Sequence, residues 1–418
     1  MEVLSVTGGA PLFGTIPVHG AKNSILPVLA AAVVCRSRCV LHNCPDIADV
    51  TNTIQILEHL GCSVRRTGGT LHVDTRSVTR CDVPLALAGR MRSSILFLGA
   101  LTARTGCASI ALPGGCPLGA RPIDLHLRAL RAMGAEVTPE DGRIDSRAER
   151  LHGACIALPI PSVGATENAI LTALACPEPV RIENAAMEPE ITDLIGFLRS
   201  AGAHIDGAGT AEITVHGGAA LHGTTYTILP DRIETATYLC AAAACGGDVL
   251  LTRTEERTLL PVIDTLRAAG CDITSERGGL RLRRSGGLIS PGRIETAPYP
   301  AFPTDAQAPV MAALLRAAGT TEFCETVFEN RLRHAAQLRK TGAQITVDAR
   351  CARVRGVERL HGAELLAEDL RGGAAMVLAA LSAEGKSLIF GVKHIKRGYD
   401  NLEKMLRKLG AEIKYVEI

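Results

Sequence analysis

The chain contains the segment HLGCSV at residues 59–64, and five variants of this segment follow at nearly regular intervals. The later copies are AMGAEV (132–137), SAGAHI (200–205), AAGCDI (268–273), KTGAQI (340–345) and KLGAEI (408–413). Their glycines are separated by 73, 68, 68, 72 and 68 residues, a period that indicates a repeat architecture. Each glycine is expected to end a helix, and the Val or Ile three residues later is expected to begin a strand.

Each repeat is predicted to contain two helices of different character. The helix before the glycine is amphipathic, as in IDLHLRALRAMG (123–134). An earlier helix is apolar all round, as in SILPVLAAAVV (24–34) and TATYLCAAAAC (235–245), and such a helix must be buried on every side. Short strands with glycine turns fill the rest. The sequence therefore predicts an α/β fold built from α+β repeats of about 70 residues each.

The two ends of the chain fit this repeat in a circular way. The last repeat stops one strand after its glycine, and residues 1–21 resemble the strands that it lacks, because LSVTGGAPLFGTIPVHGA parallels ITVHGGAALHGTTYTILP (213–230). We therefore expect two lobes of three repeats each. One lobe is residues 22–229, and the other is residues 230–418 with 1–21, closed by the N-terminal strands.

The composition excludes several classes of protein. The 418 residues include 45 Lys and Arg against 43 Asp and Glu, and aromatics make up 3% with no Trp, which argues against a nucleic-acid binder. No secretion signal begins the chain, and the longest apolar runs are about half a membrane span, so no membrane insertion is expected. The 14 cysteines form no CxxC pair and are interpreted as reduced thiols of a cytoplasmic protein.

Charged residues stand where several of the apolar helices are expected to begin. They are Lys22, Arg92, Asp231–Arg232, Thr304–Asp305 and Asp369–Arg371. A helix N-terminus carries positive potential, so basic residues there are consistent with anion binding, although solvation at the surface would also explain each of them.

The segment LPGGCPLGARP (112–122) holds Cys116 in a glycine-rich loop with Arg121 close by. A loop cysteine near a cation can act as an acid or a nucleophile, whereas most cysteines are packing residues. Asp305 is either a general base or a helix cap. Glu188 and Glu190 are interpreted as part of a solvated loop rather than a carboxylate pair.

Ten segments together carry a resemblance to a known family. They are VHGAKNSILPVL (18–29), RMRSSI (90–95), LPGGCPLGARPIDLH (112–126), SVGATEN (162–168), ENAAMEPEITD (183–193), LPDRIET (229–235), AFPTDAQA (301–308), ETVFENR (325–331), DLR (369–371) and RGYDNL (397–402). Over essentially its whole length the chain resembles the UDP-N-acetylglucosamine 1-carboxyvinyltransferases. The cysteine loop is specific to that family, whereas the sixfold architecture is shared with the shikimate-pathway enolpyruvyl transferases.

The resemblance implies a fold and a reaction. The fold would be a two-lobed inside-out α/β barrel, with three repeats per lobe, buried helices and sheets outside. The reaction would move the enolpyruvyl group of phosphoenolpyruvate to the 3′-hydroxyl of UDP-N-acetylglucosamine and release phosphate by addition and elimination, in the first committed step of peptidoglycan synthesis. No metal or organic cofactor is implied, and the sequence does not identify a protein partner.

The resemblance also implies a role for each site residue. Cys116 would protonate C3 of phosphoenolpyruvate and can form a covalent adduct, and Asp305 would take the hydroxyl proton. Phosphoenolpyruvate would be held by Lys22, Arg121 and Arg397, with Asn23 beside them. Arg331 and Arg371 would be supporting charges. The UDP-sugar would contact Arg92, Arg121, Pro122, Ile123, Asp124, Leu125, Ile160, Pro161, Ser162, Val163, Gly164 and Val327.

The chain departs from the family pattern at Met187, where Lys or Arg is usual, and in ENRLRHAAQL (329–338). Two other functions stay open at this stage. The first is a shikimate-pathway enolpyruvyl transferase, against which the cysteine loop and SVGATEN argue. The second is a non-catalytic sensor of UDP-sugars, against which the presence of Cys116, Asp305 and Lys22 argues.

Overall fold

The structure is a computed structural model that describes residues 1–115, 118–119 and 122–418. The helices are α1 (Lys22–Cys35), α2 (Ala48–His59), α3 (Leu85–Ala88), α4 (Leu96–Thr105), α5 (Asp124–Ala132), α6 (Val163–Ala173), α7 (Pro189–Ser200), α8 (Arg232–Cys245), α9 (Leu260–Ala268), α10 (Thr304–Ala313), α11 (Ala335–Leu338), α12 (Leu370–Ser382) and α13 (Leu402–Lys408). The strands are β1 (Glu2–Thr7), β2 (Leu12–Pro17), β3 (Arg38–His42), β4 (Ser63–Thr67), β5 (Thr70–Asp74), β6 (Asp82–Val83), β7 (Cys107–Ala111), β8 (Glu136–Glu140), β9 (Arg143–Arg147), β10 (Ala154–Ala157), β11 (Val180–Glu183), β12 (His204–Asp206), β13 (Glu212–His216), β14 (Thr225–Thr227), β15 (Gly247–Thr252), β16 (Asp272–Glu276), β17 (Gly279–Arg284), β18 (Arg293–Glu295), β19 (Thr320–Cys324), β20 (Gln344–Asp348), β21 (Cys351–Arg355), β22 (Glu364–Leu366), β23 (Lys386–Phe390) and β24 (Glu412–Glu417).

The described strands form six four-stranded sheets that share one topology. In the sheet β6-β7-β9-β8, the short strand β6 runs parallel to β7, and the β7–β9 and β9–β8 pairs are antiparallel. The others are β14-β3-β5-β4, β10-β11-β13-β12, β2-β15-β17-β16, β18-β19-β21-β20 and β22-β23-β1-β24. The α/β fold class is confirmed. These sheets are open, and no closed barrel is found among the described strands.

The chain divides into two compact units, each with its own hydrophobic core. The first unit consists of Gly20–Gly115 and residues 122–229. The second unit consists of Met1–His19 and Pro230–Ile418, together with Leu118 and Gly119. In the first unit, β14 near the end pairs in parallel with β3 near the beginning, with Thr225 opposite Val40, so the repeats of this unit close on one another.

In the second unit, the N-terminal strands complete two sheets. β1 lies between β23 and β24, with Leu4 opposite both Ile389 and Tyr415. β2 runs parallel to β15, with Leu12 opposite Gly247. β1 therefore lies in the sheet of the last repeat, and β2 lies in the sheet of the fourth repeat.

One apolar helix per repeat lies in the core, as the sequence predicts. We call these the central helices: α1, α4 and α6 in the first unit, and α8, α10 and α12 in the second. Every residue of α12 is buried, and so is every residue of α8 from Arg232 to Ala244. Strands such as β9 bury alternate residues, so one face of each sheet covers the core and the other is exposed.

The repeated glycines end their helices as predicted. All six have left-handed φ values between 91° and 100°: Gly61, Gly134, Gly202, Gly270, Gly342 and Gly410. At Gly61 the N–H donates to the carbonyl of Glu58 (3.0 Å), and the next N–H donates to the carbonyl of Leu57 (2.9 Å). This is the Schellman motif, which satisfies two carbonyls that a helix end leaves unpaired. Gly342 differs in following a 3₁₀ turn, Arg339–Thr341.

An arginine three residues before the glycine ties the helix to the following strand in four repeats. Arg199 donates to the carbonyl of Ile205 (2.9 Å), and Arg267 and Arg339 donate to Ile273 (2.8 Å) and Ile345 (2.7 Å). Arg131 donates to Val137 in the same way. The bond links the two parts of the repeated segment directly.

The cysteines are reduced with one exception among the described residues. Cys324 and Cys351 lie opposite each other on β19 and β21 and form a disulfide, so the expectation of reduced thiols throughout is wrong for this pair. The two residues are 27 positions apart in sequence, and only the strand register brings them together. Cys116 lies outside the described residues.

Replacement of Gly61 should destabilise the first unit more than replacement of Gly202. Both residues have left-handed φ, which costs a side chain about 1–2 kcal/mol. A Cβ at Gly61 would lie 2.5 Å from the carbonyl oxygen of Ser77, whereas the nearest atoms to a Cβ at Gly202 belong to the exposed ring of His222, at 3.2 Å. We expect Gly61→Ala to cost about 1 kcal/mol or more beyond Gly202→Ala in urea unfolding. Equal costs would contradict the packing at Ser77.

Candidate active site

The central helices of the second unit bring their N-terminal ends close together. Asp231 caps α8, where its carboxylate accepts from the N–H groups of Ile233 (2.7 Å) and Glu234 (3.0 Å). Asp369 caps α12 by accepting from the N–H groups of residues 371 and 372. Asp305 lies inside the first turn of α10, and the N-cap residue of that helix is Pro303. Asp231 therefore occupies a capping position, whereas Asp305 does not.

Asp305 is held between two arginines. Arg331 Nη2 donates to Asp305 Oδ1 at 2.6 Å, and Arg371 Nη2 donates to Oδ2 at 3.1 Å. Both arginine side chains are 3% exposed, whereas that of Asp305 is 28% exposed. Two buried guanidinium groups stabilise the ionised carboxylate of a side chain that is itself partly exposed.

Arg371, the second residue of α12, is surrounded by groups that favour its positive charge. Its guanidinium lies 5.3 Å from the centre of the Tyr399 ring. Burial opposes the charge, but Tyr399, Asp305 and Asp231 favour it and raise the pKa of Arg371 above its ordinary value. A buried arginine in this setting stays charged and can serve as a permanent cation.

Glu325 organises the backbone around Asp305. Its carboxylate accepts from the hydroxyl of Thr304 (2.9 Å) and from the N–H groups of Val327 (2.8 Å) and Phe328 (3.0 Å). Arg331 also donates to the carbonyl of Thr304 (3.2 Å). The start of α10 and the Val327 loop are therefore fixed to one another. Glu325 lies within ETVFENR but has no role in the expected site.

The other predicted residues of the second unit lie at exposed or half-buried positions. Val327 is 37% exposed. Arg397 is half-buried and ends the 3₁₀ turn Ile395–Arg397, shortly after β23.

In the first unit, Lys22 begins α1 and is paired with Asp49 of α2. Lys22 Nζ lies 3.0 Å from Asp49 Oδ2, and the two side chains are 13% and 2% exposed. Asn23 follows at a half-buried position. An ammonium has three donors and can therefore bind more than one partner.

The start of α1 is anchored to α7 by the buried residue Asp193. Its carboxylate accepts from the hydroxyls of Ser24 and Tyr226 (2.8 Å) and from the N–H of Leu229 (3.4 Å). Burial raises the pKa of Asp193, although these hydrogen bonds act in the opposite direction. The network fixes the first turn of α1, and thus the position of Lys22.

Arg92 and the segment before α5 contact one another. Arg92 begins the 3₁₀ turn Arg92–Ile95 and donates to the carbonyl of Pro122 at 3.2 Å. Of the remaining residues in this segment, Asp124 is exposed, and Ile123 and Leu125 are half-buried. Arg121 lies outside the described residues.

Residues 160–164 lead into α6. Ile160 is 61% exposed, and Pro161 and Val163 are half-buried. Ser162 caps the helix by accepting from the N–H of Ala165 at 3.4 Å. Gly164 lies against buried His126, whose Cε1 would be 2.9 Å from an added Cβ, so a side chain at 164 has no room. This close contact gives Gly164 a packing role.

A cluster of buried carboxylates in the first unit was not expected. Glu190 is 3% exposed and Glu188 is half-buried, so the prediction of a solvated loop there is wrong. Glu167 of α6 is 5% exposed, and burial, together with the charges of Glu190 and Glu188, raises its pKa well above the usual value. All three glutamates occur in the quoted segments, but the sequence gives no sign of their proximity.

Within its units, the structure brings together part of the predicted site. Asp305, Arg331 and Arg371 are in direct contact, and so are Arg92 and Pro122. Among the described residues, one group of side chains has the arrangement of a metal site, namely His204, Asp206 and His216, and none of the predicted site residues belongs to it. None of the described helices has the length and apolar character to cross a membrane.

A family model described as EPSP synthase (3-phosphoshikimate 1-carboxyvinyltransferase) matches residues 6–415. A UDP-N-acetylglucosamine 1-carboxyvinyltransferase 2 from Caldanaerobacter subterraneus is 45% identical over 413 residues, 99% of each chain. A UDP-N-acetylglucosamine 1-carboxyvinyltransferase from Magnetococcus marinus is also 45% identical, over 416 residues and 99% of each chain. The chain belongs to the UDP-N-acetylglucosamine 1-carboxyvinyltransferase family.

Solved structures agree with membership of this family. The enolpyruvyl transferase NikO from Streptomyces tendae superposes with a TM-score of 0.89 at 27% identity, covering 99% of each chain. An EPSP synthase from Acinetobacter baumannii superposes with a TM-score of 0.76 at 20% identity over 100% of each chain, which shows the shared fold.

His334 lies next to the arginine pair, within the segment 329–338. His334 is 2% exposed, and its Nδ1 is 3.0 Å from the carbonyl oxygen of Arg331. Its Cβ packs against Gly372 at the start of α12. Burial lowers the pKa of His334 from 6.5 to about 4, although Asp369 acts in the opposite direction. His334 is therefore neutral in the folded protein at neutral pH.

His334 should make folding stability depend on pH. Its pKa is about 4 in the folded chain and near 6.5 when unfolded, so the unfolded chain binds the extra proton first. The contribution of His334 to the free energy of unfolding is fully present above pH 6.5. It falls by up to about 3 kcal/mol as the pH is lowered toward 4. In urea unfolding at pH 7–8, the free energies of unfolding of His334→Gln and the parent should differ by a constant amount. Between pH 6.5 and 4, the variant should lose less of its free energy of unfolding than the parent does. Parallel profiles throughout would refute this.

Proposed function

We propose that the chain transfers the enolpyruvyl group of phosphoenolpyruvate to the 3′-hydroxyl of UDP-N-acetylglucosamine and releases phosphate, in peptidoglycan synthesis. The observation that carries this proposal is the 45% identity to a UDP-N-acetylglucosamine 1-carboxyvinyltransferase over 99% of both chains. The reaction needs an acid for C3 of phosphoenolpyruvate, a base for the sugar hydroxyl, and cations for the phosphate and carboxylate groups.

Asp305 is our candidate for the base. Two guanidinium groups keep its carboxylate ionised, and each of its oxygens accepts from one of them. Each carboxylate oxygen has two lone-pair positions, so a carboxylate that is paired with arginines can also accept a hydrogen bond from a hydroxyl group. The partial exposure of the side chain gives a substrate access, and its position in the first turn of α10 fixes its orientation.

Lys22, Arg121 and Arg397 are our candidates for holding phosphoenolpyruvate, with Asn23 beside Lys22. The support from the structure is strongest for Lys22, which the Asp49 ion pair and the Ser24–Asp193 bond hold at the start of α1. A cation fixed in one place loses little conformational freedom when it binds an anion. Arg121 is proposed from the sequence resemblance alone.

Cys116 is our candidate for the acid and for the covalent adduct. This role rests on the loop LPGGCPLGARP, because the residue lies outside the described part of the chain. In the addition step, the thiol proton would go to C3 of phosphoenolpyruvate while the sugar oxygen bonds to C2. In the elimination step, C3 would return a proton to the Cys116 thiolate while the C2–O bond to phosphate breaks, which restores the double bond.

We propose that the UDP-sugar contacts the residues that the family resemblance assigns to its binding. These are Arg92, Arg121 to Leu125, Ile160 to Gly164, and Val327. The exposure of Ile160 and Val327 and the charge of Arg92 support the proposal. Arg331 and Arg371 would act through Asp305.

We further propose a cytoplasmic location. Of the thirteen cysteines within the described residues, eleven are free, which is the usual state in a reducing compartment. The Cys324–Cys351 disulfide is the exception.

Phosphate release from phosphoenolpyruvate should depend on UDP-N-acetylglucosamine. Purified protein is incubated with phosphoenolpyruvate alone, with UDP-N-acetylglucosamine, or with shikimate 3-phosphate, and phosphate is measured over time. We expect release only with the UDP-sugar. Release with shikimate 3-phosphate would favour the shikimate-pathway function, and UDP-sugar binding without release would favour the sensor.

Variants of Cys116 should separate its role as an acid from a packing role. Asp has an unperturbed pKa of about 3.9 against about 8.5 for Cys, so Cys116→Asp should stay active with an optimum at lower pH. Cys116→Ser should lose at least about 100-fold in kcat, because a hydroxyl is a weak acid.

An electrophile gives a second readout of the same residue. A small epoxide phosphonate that mimics phosphoenolpyruvate should inactivate the parent by alkylating Cys116 and should spare the Asp variant. Full turnover in the Ser variant, or no activity in the Asp variant at any pH, would show that Cys116 is not the acid.

A further inference from the structure

The outer face of one sheet in the first unit carries two histidines and an aspartate in direct contact. β12 and β13 are neighbours in the sheet β10-β11-β13-β12, and β12 is an edge strand. Ile205 and Val215 are fully buried on the core side. Because side chains alternate along a strand, His204, Asp206 and His216 project from the opposite face.

The register places the three side chains together. His204 and His216 are directly opposite across the two strands, and their rings stack with centroids 4.2 Å apart and an interplanar angle of 16°. Asp206 Oδ2 is 3.0 Å from His216 Nε2 and 3.7 Å from His204 Nε2. One ligand atom from each residue lies within 4.8 Å of the other two.

These separations match those of ligands around one metal ion. With metal–ligand bonds of about 2.0–2.1 Å, two ligand atoms on a tetrahedral ion are about 3.3 Å apart. The observed nitrogen–oxygen distances of 3.0 and 3.7 Å lie on either side of that value. Only small side-chain rotations are needed for the three atoms to converge on one point.

We propose that His204, Asp206 and His216 bind a late first-row divalent metal ion such as Zn²⁺. Two imidazole nitrogens and one carboxylate oxygen suit Zn²⁺, Ni²⁺ or Cu²⁺, whereas Mg²⁺ and Ca²⁺ require oxygen ligands. Three protein ligands leave a tetrahedral position for water or for a group from another molecule. The ion would join the edge strand β12 to β13 and is separate from the proposed reaction.

The other repeats show that the fold does not require histidine here. The cross-strand pairs at the equivalent positions are Ser63–Asp74, Glu136–Arg147, Asp272–Arg283, Gln344–Arg355 and Thr7–Glu412. Several of these combine opposite charges or a hydroxyl with a carboxylate. The third repeat alone has two histidines, and an aspartate follows two residues after the first of them.

A hydrogen bond without metal explains only part of this arrangement. His216 Nε2 lies within hydrogen-bonding distance of Asp206 Oδ2, but His204 at 3.7 Å does not. His204 nevertheless directs its Nε2 to the same oxygen. A metal ion accounts for the convergence of both rings on one carboxylate.

The test is titration of the whole chain with Zn²⁺ by calorimetry. The main variant is His204→Gln with His216→Arg, which reproduces the Gln344–Arg355 pair of the fifth repeat and should therefore fold. We expect this variant to bind one Zn²⁺ fewer than the parent. Asp206→Asn should weaken the same site by about tenfold or more.

Free cysteines also bind Zn²⁺, so the control removes a thiol from the same sheet. Cys155→Ser changes an exposed thiol on β10 at the opposite edge and should retain the histidine site. Zn²⁺ should raise the thermal midpoint of the parent and of Cys155→Ser by more than that of the double variant. Identical isotherms for the parent and the double variant, or loss of the ion in Cys155→Ser alone, would overturn the proposal.

Discussion

The central helices have almost no polar face, and the remaining structure depends on the need to bury them. Three such helices pack together in each unit, and sheets with one apolar face cover them. Because the bodies of these helices face the core, polar chemistry is concentrated at their ends. Lys22 is the first residue of α1, and Asp305 and Arg371 are the second residues of α10 and α12.

The contact of Asp305 with two arginines balances buried charges and supports the role proposed for Asp305. Arg331 and Arg371 are buried, and a buried cation without a counter-charge is strongly destabilising. Asp305 supplies that counter-charge, and in return the two cations keep it ionised. Glu325 connects this group to the Val327 loop. The residues proposed for proton transfer and for sugar recognition in the second unit therefore belong to one hydrogen-bonded framework.

The sequence predicted features that depend on local pattern, such as helix ends. It did not predict contacts that depend on strand register or on the exact start of a helix. Glycine periodicity identified the helix ends, since a left-handed residue there is a local requirement. Asp231 and Asp305 have similar neighbours in sequence. Asp231 precedes the first residue of α8 and caps that helix, whereas Asp305 follows the first residue of α10 and forms ion pairs with arginines. The pairing of Cys324 with Cys351 depends on strand register.

The buried carboxylates of the first unit were missed for a related reason. Glu190 lies in a polar segment, and only packing against α6 shows that it is buried beside Glu167. The roles of Cys116 and Arg121 remain predictions from the sequence, as do the substrate contacts of the other site residues. His334 stands in a segment that the sequence analysis quotes, but the lowering of its pKa depends on burial, which the sequence does not show.

The position of β1 has a consequence for the order in which the chain folds during synthesis. All strands of the first unit lie between residues 38 and 227, so its sheets can form while the ribosome is still adding the second half. The second unit cannot do this. Its first strand, β1, is synthesised at the start of the chain. β1 pairs with β23 and β24, and β24 ends at Glu417. The N-terminal segment must therefore wait for the C-terminus, and a chain truncated by even one strand would leave β1 without a neighbour on one side.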